Sequence, residues 1–186
     1  MIDGTARRWI EPGLNRAGAW LARRGVKADH VTVFACCLGL AAALLIASGF
    51  MLAALALILV SRLCDGLDFV VYGAVPLGFV IHDPAANGLA GAALIFSFYV
   101  NGASFLAYAI LAEKHRLTTT RRGAKSIYFT TGLAEAGETL IVFAIFCLWP
   151  AWFSPVAWAF TAICLYTALS RIIEARAAFP AGGSQA

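Results

Sequence analysis

A chain of 186 residues that is 61% hydrophobic and 13% charged holds about half the charged fraction of an ordinary soluble domain. That balance excludes a water-soluble enzyme or binding module and describes an integral membrane protein. The net charge of +4, from 14 Lys and Arg against 10 Asp and Glu, suits an anionic membrane face better than nucleic acid.

The first thirty residues are basic and broken, unlike the apolar stretch of a cleavable signal. Trp9, Ile10, Leu14, Trp20 and Leu21 alternate with Arg7, Arg8, Arg16, Arg23, Arg24 and Lys27. This mixture predicts residues 1–30 as an amphipathic segment lying in the membrane interface, with aromatics at headgroup depth. Asp29 in "KADHVTV" is placed to cap a helix running from Val31 to Ala47. Ser48-Gly49 turns the chain, and apolar runs follow over Phe50–Leu63 and Leu67–Ile81, with "CDG" between them. The polar "HDPAANG" (His82 to Gly88) predicts a turn, and a fourth run covers Leu89–Leu111. A basic loop, Glu113–Lys125, leads to a fifth run over Ile127–Trp149, interrupted by Glu135 and Glu138. "PAWFSP" turns the chain again, a sixth run covers Val156–Ile173, and the tail from residue 176 to 186 predicts disorder. Cys36, Cys37, Cys64, Cys147 and Cys164 lie in or beside the apolar runs without zinc-ligand spacing, as small thiols packed between helices.

The join between the second and third runs decides the topology. As one helix of about 32 residues it would measure about 48 Å against a hydrocarbon core of about 30 Å. Split at Asp65-Gly66 it gives two runs of about 15 residues, each short for a span. With the split, all 14 Lys and Arg fall on one side of the membrane, and the positive-inside rule prefers that arrangement. The expectation is therefore an all-α, polytopic membrane bundle of about six segments over residues 31–175. Both termini are cytoplasmic in a bacterial-type inner membrane. The apolar middles of the spans argue against a transporter.

The chemistry concentrates in "SRLCDGLDFV", where Arg62, Asp65 and Asp68 interrupt the apolar sequence at a cytoplasmic helix end. An Asp-x-x-Asp pair there could hold Mg²⁺ or Mn²⁺ against a diphosphate. Equally, Asp65 could serve the turn alone while Asp68 pairs with Arg62. Glu135 and Glu138 share one face near the cytoplasmic end of the fifth helix. They either favour the helix dipole or wall a cavity, binding an acceptor or assisting a metal. Arg121, Arg122 and Lys125 either fix topology or hold an anionic group. His115 reads as a solvated side chain, and His82 and Asp83 fall on the opposite membrane face.

Three stretches, "VKADHVTV", "LVSRLCDGLD" and "KSIYFTTGLAEAGETL", together resemble the CDP-alcohol phosphatidyltransferase family along nearly the whole chain. The resemblance implies a six-helix membrane bundle, usually a homodimer, that transfers a phosphatidyl or substituted phosphate group from a CDP-linked donor to an alcohol and releases CMP. The family signature is Asp-x-x-Asp-Gly-x-x-Ala-Arg, a spacer, and Gly-x-x-x-Asp-x-x-x-Asp. Its four aspartates bind divalent metal, and the last is the base. Here Asp65 matches the first aspartate, with Gly66 following. Asp68 fits either the second or, through "DFVVYG", the fourth. The Gly-x-x-Ala-Arg segment, the spacer and the third aspartate are missing, as if the sequence between two similar "LD" pairs had dropped out. Two carboxylates suit one divalent ion and not a two-metal clamp, so transfer is expected to be severely reduced or absent. The alternative is an inactive relative that keeps only lipid or nucleotide contacts.

Overall fold

The computed structural model describes residue 20 and residues 23–63, 68–114 and 136–178. Among them are six α-helices: α1 (Ala28–Ala47), α2 (Met51–Leu63), α3 (Asp68–His82), α4 (Pro84–Lys114), α5 (Ala136–Leu148) and α6 (Phe153–Ala178). Three stretches are long and apolar enough to cross a membrane, Asp29–Ala47, Pro84–Ala112 and Pro150–Arg176. The all-α membrane bundle expected from the sequence is the architecture observed.

Each helix buries one stripe spaced at three and four residues, the period that keeps side chains on one helical face. The stripes are Ala35, Ala42 and Ile46 on α1; Ala54, Ile58 and Ser61 on α2; Val71, Val75 and Phe79 on α3; Ala90, Leu94 and Phe98 on α4; Thr139, Phe143 and Phe146 on α5; and Phe153, Ala157, Phe160 and Cys164 on α6. The outer faces are also apolar: Leu44, Leu52 and Leu89 are 70–75% exposed. Apolar surface on all sides is the pattern of helices solvated by lipid. Inside, Phe79 stacks on Phe153 at 4.7 Å and meets Phe146 edge-on at 5.6 Å. A second tier joins Tyr72, Phe98, Phe143 and Phe160 at centroid distances of 5.1 to 6.1 Å.

These contacts set the helix directions. Gly49, at φ +85°, turns α1 into the antiparallel α2, and Ser61 returns to the level of Ala35. Helix α3 runs parallel to α1, with Val71 beside Gly39, Gly78 against Ala43 and Ile46, and the His82 ring 3.4 Å from the Ala47 carbonyl oxygen. Thus α2 and α3 form a hairpin whose open ends meet at the Ala47–His82 end and whose tip points towards the basic end. Helices α4 and α6 run side by side in the same direction, matched at Phe98–Phe160 and at Asn101–Arg171. Helix α5 runs parallel to α3, with Phe143 opposite Tyr72 and Phe146 opposite Phe79.

Several boundaries differ from the sequence expectation. Asp29 is not the cap of α1: the helix already includes Ala28, Lys27 takes the cap position, and no side chain caps it. The turn expected over His82–Gly88 is mostly helix. Asp83 accepts the Ala86 N–H through Oδ1 at 3.0 Å, Pro84 takes the first helical position, and α4 starts there. After a short 3-10 turn over Pro150–Trp152, α6 begins at Phe153 and continues to Ala178, into the stretch expected to be a disordered tail. Cys147 and Cys164 are buried, but Cys37 is exposed on the outer face of α1. Residues 1–19 of the expected interfacial segment lie outside the described residues, though the Arg24 guanidinium sits 4.3 Å from the centre of the Trp20 ring.

Candidate functional site

Asp65 and Gly66 lie outside the described residues, as do Arg121, Arg122, Lys125, Glu135, His115 and Cys64. Asp68 is described only by its backbone position, the first residue of α3. Arg62 and Glu138 are the two sequence-chosen residues whose side chains are described, both half-buried.

Arg62 occupies the last turn of α2, next to Ser61. The Ser61 hydroxyl donates to the Ala35 carbonyl at 2.8 Å and fixes the depth of the hairpin tip against α1. Glu138 sits in the first turn of α5, and its Oε2 is buried with no hydrogen-bond partner among the described residues. From the Phe143–Tyr72 pairing, Glu138 is five residues towards the basic end on α5 and Asp68 four residues on α3. At 1.5 Å per residue these are displacements of about 7 and 6 Å, so the two helix positions share one depth. A hydrogen-bonding oxygen shut away from both water and a partner is costly, and this one lies at the level of the charged tip. Among the described residues, no three His, Cys, Asp or Glu side chains come together.

Sequence reading missed a further polar cluster at the same level. The Nη1 of Arg171 donates to the main-chain oxygen and Oδ1 of Asn101, both at 3.1 Å, and to Ser104 Oγ at 2.9 Å. Its guanidinium also lies 5.5 Å from the centre of the Phe105 ring. The signal available in sequence was register: Arg171 continues the buried α6 row of Phe160, Cys164, Thr167 and Ala168 into the bundle.

No family model matches the chain, and no solved structure matches it. It is 37% identical to the inner membrane protein YnjF of Escherichia coli (strain K12) over 193 positions, covering 92% of this chain and 94% of that protein. Since 92% of 186 residues is about 171, against 193 aligned positions, the relative carries about 22 residues that have no counterpart here.

Proposed function

The chain belongs to the family of the Escherichia coli inner membrane protein YnjF, and from that premise we propose a CDP-alcohol phosphatidyltransferase-type membrane protein of phospholipid biosynthesis with impaired transfer. The observation that carries this reading is the pair of ionisable residues where α2 ends and α3 begins, Arg62 and Asp68, with a buried Glu138 oxygen at their depth that has no hydrogen-bond partner among the described residues. Charged groups at such a position cost about 2.5–3.5 kcal/mol each on insertion scales, and lipid contact alone gives them no use.

In the proposed reaction the alcohol oxygen bonds to the phosphorus of the phosphatidyl or substituted phosphate group. The bond from that phosphorus to the CMP oxygen breaks, and the alcohol proton passes to a carboxylate, assigned to Asp68 by the resemblance. The hard oxygens of Asp65 and Asp68 fit one Mg²⁺ or Mn²⁺. When bound, that ion supplies positive charge against the diphosphate. Arg62, three residues before Asp65 and four before Gly66 in sequence, faces the same anion; Glu135 and Glu138 receive the acceptor hydroxyl or assist the metal; Arg121, Arg122 and Lys125 attract an anionic headgroup. Membrane lipids and a second copy of the chain are the proposed partners, with the basic face cytoplasmic.

The shortfall of about 22 residues against the relative favours a second reading, an inactive protein that keeps lipid or nucleotide contacts. Release of CMP from CDP-diacylglycerol in membranes containing the chain, with Mg²⁺ or Mn²⁺ and with Asp65→Asn as control, separates the two. Release that the substitution abolishes supports transfer. If the CDP donors tested give no release but Mg²⁺-dependent nucleotide binding persists, the inactive reading holds.

A further inference from the structure

The outer face of α6 is not uniformly apolar. Tyr166, Ser170 and Glu174 recur at intervals of four, the spacing that sets side chains one above another on a single helical face. Beside them, Leu169 and Ile173 complete the walls of a hollow of about 280 Å³. Tyr166, Leu169 and Ile173 are each more than half exposed, so the hollow opens away from the bundle. Its size falls just short of the roughly 300–1,000 Å³ that encloses a compact small molecule. An open trough on a membrane helix suits a chain laid along it.

Helix length gives the depth. Helix α6 starts at Phe153, directly after the exposed Trp149 and Trp152, and tryptophans mark the boundary between membrane and water. Tyr166 lies 13 residues further on, about 20 Å, and Glu174 21 residues, about 32 Å, against a hydrocarbon core of about 30 Å. The hollow therefore runs from about 10 Å inside the hydrocarbon up to headgroup level at the basic end. Leu169 and Ile173 line its course, and the Glu174 carboxylate stands at its mouth.

The charges around that mouth decide what fits. Glu174 is half-buried, and a carboxylate accepts up to about four hydrogen bonds, so it has capacity for a further donor alongside a protein partner. Arg171 is turned to Asn101 and Ser104 on α4. Arg176, two residues beyond Glu174, stands about 200° further round the helix and does not line the hollow. We propose that this groove binds one phospholipid whose headgroup ends in a primary ammonium, with an acyl chain along Leu169 and Ile173 and the N–H groups donated to Glu174. A second copy of the chain fits worse, because a two-fold pair through this face would set hollow against hollow and carboxylate towards carboxylate. The groove rests on the function proposed above only in that membrane lipids are among its partners, and its test requires no turnover.

The purified chain in a mild detergent is equilibrated with equimolar phosphatidylethanolamine, phosphatidylcholine and phosphatidylglycerol of one acyl composition, and retained lipid is counted by native mass spectrometry. Phosphatidylcholine carries the cationic charge without an N–H, and phosphatidylglycerol carries no cation. Phosphatidylethanolamine is expected to exceed each of them by about fivefold, the scale of an ion pair at a wet boundary. Glu174→Gln keeps the shape and brings the three to parity, whereas Glu174→Asp keeps the preference. Ile173→Trp fills the hollow from an exposed position and removes one retained lipid per chain, while Leu89→Trp, on the exposed face of α4, removes none.

Parity of the three lipids on the parent chain overturns the proposal, as does a preference that survives Glu174→Gln or a lipid count unchanged by Ile173→Trp. A dimer that carries no lipid and falls apart on Ile173→Trp overturns it too and assigns the face to a second copy. A lipid preference without CMP release leaves the groove standing and removes the transfer reading; CMP release with lipid parity does the reverse.

Discussion

Ser61 and Ala35, 26 residues apart in sequence, are joined by a 2.8 Å hydrogen bond from the Ser61 hydroxyl to the Ala35 carbonyl, and both residues are buried. The bond sets how far the short α2 arm reaches along α1, which places Arg62 and the start of α3. Interhelical hydrogen bonds in membranes average about 0.6 kcal/mol and reach about 1.7. Ser61→Ala is expected to lower stability in detergent by about 1 kcal/mol, while Ser61→Leu, which must also fit added volume against α1, loses about 2–3 kcal/mol. Thermal unfolding of the two variants beside the parent checks both values.

The contact between α1 and α3 depends on two small residues of unequal importance. A Cβ at Gly39 would approach Val71 Cγ2 at 2.6 Å, whereas one at Gly78 would approach the main-chain oxygen of Ala43 at 2.6 Å. A side chain has room to rotate; a helix backbone has to move bodily. Gly78→Ala is expected to cost about 2–3 kcal/mol and Gly39→Ala about 1. Gly88→Ala, with nothing within 4 Å of the added atom, serves as control and stays neutral or gains slightly from helix propensity. Melting temperatures in one detergent rank the three, and an equal loss at Gly39 and Gly78 would contradict the distinction.

Apolar run length and the one-sided distribution of Lys and Arg made the six helices legible in the sequence, including the separation of α2 from α3. Helix ends were harder to read, because Asp83 and Pro84 look like turn residues in sequence yet start α4 as cap and first residue. The site was legible as chemistry but not as depth. Composition marks Arg62, Asp65 and Asp68 as out of place, but only the Ser61–Ala35 contact places the end of α2 along α1. Arg171 went unnoticed for a physical reason: an arginine near a helix end usually reaches outward to the interface. This one reaches across to α4 instead.

That crossing contact carries its own prediction. Arg171 Nη1 binds two oxygens of Asn101 and one of Ser104, all from one nitrogen at the far end of the side chain, and the lysine side chain is one bond shorter. Arg171→Lys is expected to lose about 1–2 kcal/mol. Asn101→Leu removes the side-chain oxygen from a half-buried cation and loses about 1–2 kcal/mol. The double variant Arg171→Leu/Asn101→Leu should recover part of the loss, since no cation is then left short of acceptors. Unfolding free energies of the single and double variants give a coupling of about 1 kcal/mol or more if the contact holds α4 to α6. Strict additivity would show that it does not.

Glu138 separates stability from function most sharply. Its Oε2 is buried with no hydrogen-bond partner among the described residues, and an unsatisfied polar atom of this kind costs about 1–3 kcal/mol. If its place is kept by what it binds, removing the carboxyl relieves that cost and removes the use together. Glu138→Leu is therefore expected to raise the melting temperature, by an amount matching about 1–2 kcal/mol, and to weaken Mg²⁺-dependent retention of a CDP-linked donor by about tenfold, equivalent to about 1.4 kcal/mol. Glu138→Gln keeps the shape and one oxygen, so it should lose donor retention with a smaller gain in stability. Parallel unfolding and equilibrium binding on the same preparations test the pairing. A variant that unfolds more easily while binding the donor unchanged would assign Glu138 to packing and leave the hairpin tip to act without it.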